Sequence, residues 1–315
     1  MEINSKAVLE SWESDLKRRI LDMEKILGIR PALIIVRVGD DPASELYVNN
    51  KVKKAKELGV RVNVIKLDDS VDQETLNRTL EEIFQPVILQ LPLPNGLNAE
   101  EAISYINPDT DVDGLTMYQK GLLAARNPNA LEPATAKGVI KLIESETNIA
   151  GKKVAIVSRS ELIGIPLAHM ILQRDGFPVI MHSKVPLMNL LDEIKDADIV
   201  VTGCGKRGIF DNRHFRTTGQ IIIDCSMARD SDIPGVGDVR KDYVIMHTRN
   251  KIASGYGHTG PATILGLMDN VVKYYEGLAF DLLHKGLQRL VREYTDELKA
   301  NDHYDVFKDF HNINN

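Results

Sequence analysis

Cysteine is nearly absent: among 315 residues only Cys204 and Cys225 carry a thiol. Both fall in apolar segments that read as strands, and two thiols cannot make a disulfide framework, so the composition points to a reducing compartment. Aromatic residues are scarce at 5%, with a single tryptophan. No apolar run approaches the roughly 18 residues that would span a bilayer. An excess of basic charge is also missing. Lys and Arg total 39 against 45 Asp and Glu, a net charge of −6, so no global field draws in nucleic acid or an anionic membrane, and neither is expected as a partner. An anionic ligand must then be met by a local basic site. The opening Met1-Glu2-Ile3-Asn4 lacks the basic-then-apolar layout of a secretory leader, and a cytoplasmic protein is expected.

What is present is an ordinary globular composition, 43% hydrophobic and 27% charged, in a chain long enough for about two domains. Val8, Leu9, Trp12, Leu16, Ile20, Met23 and Leu27 recur at helical spacing and predict an amphipathic helix from Ser5 to Leu27. The β-branched run from Pro31 to Gly39 reads as a strand, 44–58 as a helix stopped by Gly59, 60–67 as a strand, 72–84 as a helix and 86–92 as a third strand. This β-α-β-α-β alternation implies parallel strands, right-handed crossovers and ligands at the strands' carboxyl ends. Polar stretches at 107–113 and 127–133 lead into a helix from Ala136 to Glu146. Strands are then predicted at 152–157, 178–181, 199–202 and 220–224, with helices after the first two. The fold class is therefore α/β: two domains with parallel sheets, the second Rossmann-like, and a cleft between them. Helices are predicted at 262–275 and 278–300, the last with an apolar stripe at 283, 287, 290, 294 and 298 that predicts packing within its own subunit.

The segment from Val154 to Pro166 passes from an apolar strand through Ser158-Arg159-Ser160 to Gly164 at the start of a helix. Backbone N–H groups at such a helix start suit a pyrophosphate. A site for NAD usually ends the next strand in an acid that accepts from the ribose 2′-hydroxyl. Here that place reads Met181-His182-Ser183-Lys184, which with Arg159 offers donors and positive charge suited to a 2′-phosphate, so NADP is the expected cofactor. Ile163, Gly164, Pro166, His182 and Gly205 complete the predicted nucleotide loops, and no metal site is expected. In the first domain, Tyr47 and Lys51 stand four apart on one helix face. Gln90 sits inside an apolar strand and needs hydrogen-bond partners if buried, and Asp111 and Asp113 share a turn. Each of these residues alone has an ordinary structural explanation.

Together they form a pattern. Asp40-Asp-Pro-Ala-Ser-Glu-Leu-Tyr47-Val-Asn-Asn-Lys51, Gln90-Leu-Pro-Leu-Pro94, Pro108-Asp-Thr-Asp-Val-Asp113-Gly-Leu and Val236-Gly-Asp-Val239 resemble, in order and spacing, the signatures of the bifunctional methylenetetrahydrofolate dehydrogenase/cyclohydrolase (FolD) family. The resemblance covers about residues 1 to 277. It implies a folate-binding domain at 1–125, joined by a returning helix at 261–277, an NADP domain at 135–255, and an extension at 278–315. It further implies a homodimer that oxidises 5,10-methylenetetrahydrofolate and hydrolyses the methenyl product to 10-formyltetrahydrofolate. By matching motif, Lys51 is implied as the catalytic lysine, Tyr47 as the neighbour orienting folate, Gln90 as the amide bonded to the lysine, and Asp113 as the pterin anchor. Ser44, Leu91, Gly260, Pro261 and Thr263 match substrate positions, and Thr135, Ser158, Arg159, Ser160 and Ser183 match cofactor positions.

The chain departs from the family where the nicotinamide would lie. Ser158 and Ser226 replace glycines, Arg207 replaces a proline, and Ser254-Gly-Tyr256-Gly-His258-Thr259 replaces a Pro-Gly-rich loop. A serine at positive φ would cost about 1 kcal/mol. Tyr256 and His258 are expected to narrow the nicotinamide pocket, which would favour hydrolysis over dehydrogenation. A non-catalytic folate- or NADP-binding protein, and a Rossmann dehydrogenase for another substrate, are the alternatives.

Overall fold

The structure is a computed structural model that describes residues 1–226, 237–255 and 257–300, with backbone only at 294, 295 and 297–300. Val236, Tyr256 and the side chains of Tyr294 and Leu298 therefore lie outside the described residues. The first helix, α1, runs Ser5–Leu27, begun by the Asn4 side chain and ended by Gly28 in the left-handed conformation. Then follow β1 (Ala32–Val38), α2 (Pro42–Leu58), β2 (Arg61–Leu67), α3 (Gln73–Glu81) and β3 (Val87–Leu89). The third strand is shorter than the run between its prolines, since proline has no N–H to give a ladder. These strands make a parallel sheet of order β2-β1-β3.

Two short helices, α4 (Ala99–Ser104) and α5 (Met117–Ala124), precede α6 (Ala134–Glu144), and a second sheet follows. It is built from β4 (Lys153–Val157), β5 (Phe177–Met181), β6 (Ile199–Thr202), β7 (Thr218–Asp224) and β8 (Arg249–Ala253), all parallel, in the order β5-β4-β6-β7-β8. Helices α7 (Gly164–Leu172), α8 (Leu187–Asp196) and α9 (Lys241–His247) connect them. Successive strand residues face opposite sides. Val154 and Ile156 join the core under α6 and α7, while Ala155 and Val157 join the opposite core with Ile194 of α8 and Val244 of α9. Helices on both faces of a parallel sheet, with strand order reversing between β4 and β6, make the Rossmann-like arrangement expected.

Cys204 and Cys225 stand just beyond the ends of β6 and β7 rather than within strands. The two helices predicted after residue 262 are one, α10 (Thr259–Ala300). Gly277 continues the helix, because a glycine inside a helix costs only about 1 kcal/mol against alanine. Residues 1–273 form one compact unit and Tyr274 begins another. Within that second unit Leu283, Leu287 and Leu290, predicted to pack within their subunit, are exposed. Among the described residues no helix is long and apolar enough to cross a membrane.

Candidate functional site

Order β2-β1-β3 places the reversal of the first sheet between β1 and β3, and ligands gather at the carboxyl ends on either side of such a point. Helix α2 leaves β1 there. Its start is fixed by Asp41, whose side chain accepts from Ser44 N–H at 2.7 Å, with Pro42 in the first turn. Ser44 is buried in that turn. One turn on, Tyr47 precedes Lys51, which is only 7% exposed, with its amine 5.4 Å from the Tyr47 ring centroid. From the end of β3, Gln90 turns its Oε1 to Lys51 and accepts from Nζ at 3.0 Å. The amide's own N–H donates to the Leu91 carbonyl at 2.7 Å, which fixes its orientation. Burial lowers the lysine pKa, opposed by the negative charge of Asp113. A neutral acceptor at 3.0 Å does not reverse this, so the arrangement favours a free amine.

Asp113 arrives on a turn organised by Asp111, which is fully buried. The Asp111 carboxylate accepts from the N–H groups of Asp113, Gly114 and Thr116 at 3.2, 3.0 and 2.7 Å. Gly114 has φ of +72°, and a Cβ there would lie 2.3 Å from the Leu131 carbonyl, so only glycine fits the close approach. Among the described residues nothing hydrogen-bonds the Asp113 carboxyl, whose pKa burial raises and nearby Lys51 pulls back down. Burial, then the Asp113 charge, raises the pKa of the Tyr47 phenol, and Thr263 in the first turns of α10 lowers it in part. Gly260 and Pro261 begin the same helix. The structure thus brings Tyr47, Lys51, Gln90 and Asp113 together, with Thr263 beside Tyr47.

The second sheet reverses between β4 and β6, and the nucleotide candidates stand at those strand ends. Gly164 opens α7 where a Cβ would lie 2.1 Å from the Ser158 carbonyl, so helix and strand meet more closely than any side chain permits. Ser160 Oγ accepts from Ile163 N–H at 3.2 Å, and Ser158 Oγ accepts from Ser160 N–H at 3.3 Å. Arg159 and Ser160 are exposed, as are Ser183 and Lys184 after β5, where Lys184 N–H donates to His182 Nδ1 at 3.2 Å. Pro166 sits in the first turn of α7, Thr135 in the first turn of α6, and Gly205 follows β6 with φ of +69°. A close-packed glycine at a helix start, with cations and hydroxyls around it and no acid after β5, fits a phosphorylated dinucleotide.

Two buried acids brace these loops: Asp224, which sequence reasoning did not single out, and Asp238 of the Val236-Gly-Asp-Val239 motif. Asp224 accepts from Ser226, Asp238 and Val239 N–H and from the hydroxyls of Thr202 and Ser254, all at 2.8–3.3 Å. Asp238 accepts from Cys204 N–H at 2.6 Å and Lys206 N–H at 2.7 Å. Burial, then Asp238, pushes the Cys204 thiol up to about 12, so it stays protonated. The available signal was an acid closing the apolar strand Ile221-Ile-Ile-Asp224.

Two expectations are corrected. Ser158 and Ser226 have no positive φ, so neither carries the predicted strain; the Ser226 hydroxyl instead accepts from Gly205 N–H at 3.0 Å. His258 is engaged by the amino-terminal segment. Its Nδ1 meets Ser5 Oγ at 2.7 Å and its Nε2 meets Glu2 Oε1 at 2.8 Å, so the ring is spent on the amino-terminal segment. Arg207 is exposed, and nothing in the structure explains its replacement of proline.

Comparison with known proteins matches residues 3–113 to the tetrahydrofolate dehydrogenase/cyclohydrolase catalytic domain and residues 133–278 to the NAD(P)-binding domain of the same family. The bifunctional protein FolD of Ligilactobacillus salivarius is 36% identical over 259 residues, 79% of this chain and 88% of that protein. The bifunctional protein FolD of Lactococcus lactis subsp. cremoris is 32% identical over 277 residues, 86% and 95% of the two chains. Among solved structures, the methylenetetrahydrofolate dehydrogenase-cyclohydrolase of Trypanosoma brucei, complexed with NADP cofactor and inhibitor, superposes with a TM-score of 0.80 at 29% identity, covering 89% of this chain and 98% of that one.

Proposed function

The chain belongs to the tetrahydrofolate dehydrogenase/cyclohydrolase family, and we infer that it oxidises 5,10-methylenetetrahydrofolate with NADP and hydrolyses the 5,10-methenyl product to 10-formyltetrahydrofolate. The observation that carries the hydrolytic half is the buried Lys51 amine held by the neutral Gln90 amide at 3.0 Å. In our reading the Asp113 carboxylate accepts two hydrogen bonds from the pterin's N–H and amino groups and fixes the ring. Tyr47 lies beside the lysine and orients the folate, and Ser44, Leu91, Gly260, Pro261 and Thr263 border the substrate.

The methenyl carbon is already electrophilic, so hydrolysis needs a placed water and a proton carrier. Water adds to that carbon, Lys51 takes the water proton, and the carbon–N5 bond breaks as N5 regains a proton. The balance is one water consumed and one proton released. NADP, when bound, accepts the hydride of the oxidative step. Residues of this chain exclude water and align the rings for that transfer. Thr135, Arg159, Ser160, Ile163, Gly164, Pro166, His182, Ser183, Lys184 and Gly205, with Ser158 beneath them, hold it in this reading. We further place the protein in the cytoplasm as a homodimer, on its two free thiols and its family membership. Absorbance at the methenyl band, followed with and without NADP, reads both half-reactions. Lys51→Met should abolish hydrolysis while folate still binds, and unchanged turnover would remove Lys51 from this role.

A further inference from the structure

One polar side chain outside the reaction has both amide donors and its acceptor oxygen engaged. Asn270 is fully buried in α10, beside the buried apolar residues Leu267, Met268, Val271 and Val272. Its Nδ2 donates to the Val112 carbonyl at 2.9 Å and to the Glu132 carbonyl at 2.7 Å. Its Oδ1 accepts from Lys137 Nζ at 3.0 Å. Only one orientation of the amide satisfies all three partners, because the reverse would set its oxygen against two carbonyls. A purely apolar core would not need such a group. Polar networks this fully satisfied select one arrangement of the segments they join.

The segments joined here are informative. Val112 precedes Asp113, and Glu132 belongs to the crossover whose Leu131 carbonyl abuts Gly114. Asp111 closes the turn from within, but bonds inside a turn move with it as a rigid body. On one side the turn is tied down by Val87 N–H donating to the Thr110 carbonyl at 2.9 Å. Asn270 ties the other side. We infer that Asn270 is a positioning residue for the pterin-binding carboxylate, fixing the peptide before Asp113 to the crossover and to α10. The inference rests on the folate reading of Asp113 given above. A displacement of even about 1 Å in such an anchor weakens a two-point contact steeply.

The test uses full-length Asn270→Ala and Asn270→Ser, with methenyl hydrolysis, NADP-linked oxidation and thermal midpoint measured on each. In Asn270→Ala the KM for 5,10-methenyltetrahydrofolate should rise about tenfold while kcat stays within about threefold, and the KM for NADP should stay within about twofold. Asn270→Ser keeps one donor and should recover part of the folate KM. A folded Asn270→Ala with unchanged folate KM overturns the inference, whatever its melting temperature. So does an equal rise in the KM for NADP, or failure of both variants to fold, since Asn270 would then serve the fold at large. A wild-type chain that does not hydrolyse the methenyl substrate would instead overturn the folate reading itself.

Discussion

At the scale of single residues, the chemistry turns on which neighbour a buried amine is given. Lys51 is hydrogen-bonded to an amide, and the Asp113 charge offsets the cost of burial only in part, so its pKa falls below the ordinary 10.5. The neutral fraction grows as pH rises through that lowered pKa, so the hydrolysis rate should climb with pH to a plateau. Gln90→Glu would place a carboxylate beside the amine and hold it charged. The rising limb should move to higher pH and the rate near neutrality should drop at least about tenfold, read from pH–rate profiles of the two proteins. The lysine and its amide were legible because the motifs preserve their spacing. Asn270, Asp224 and His258 were not, since a polar residue in an apolar run says that it has partners without saying which. His258 shows the hazard: its position suggested the cofactor, yet its bonds run to Glu2 and Ser5, more than 250 positions away in the chain.

Elements with strong periodicity were read from sequence almost to their ends. The α1 range coincides with the predicted one, and β6 matches residue for residue. What escaped were short elements: β8, Arg-Asn-Lys-Ile-Ala, is strand-forming only because β7 lies alongside it, and α9 spans seven residues. Tertiary pairing, absent from any local pattern, decides such segments. The start of α7 shows how one element depends on another. Gly164→Ala would set a methyl group 2.1 Å from the Ser158 carbonyl, so α7 and the end of β4 must separate. The expected outcome is a KM for NADP raised at least about tenfold and stability lowered by about 1–3 kcal/mol, with methenyl hydrolysis retained. Steady-state kinetics of both reactions and a melting curve check it.

For the whole molecule, three distant stretches of chain converge on one carboxylate. Asp269 of α10 meets Arg19 of α1 at 2.5 Å and Lys137 of α6 at 2.5 Å. Burial alone would raise its pKa, but the two cations outweigh this and the net shift is downward from 3.8. A carboxylate depressed on folding contributes stability that is present above 3.8 and is lost as pH falls through its folded value. Asp269→Asn should therefore cost about 3 kcal/mol near neutrality by removing the anion that the two cations share. In denaturant melts, the gap from wild type should close once the pH falls below the folded value. The braced loops beyond β6 and β7 carry a different consequence. With Asp224 engaging five donors, the loops that would receive a dinucleotide are held by the chain's own groups. Little ordering entropy is left to spend on association, so capture should proceed in a single kinetic phase, without a slow isomerisation after encounter.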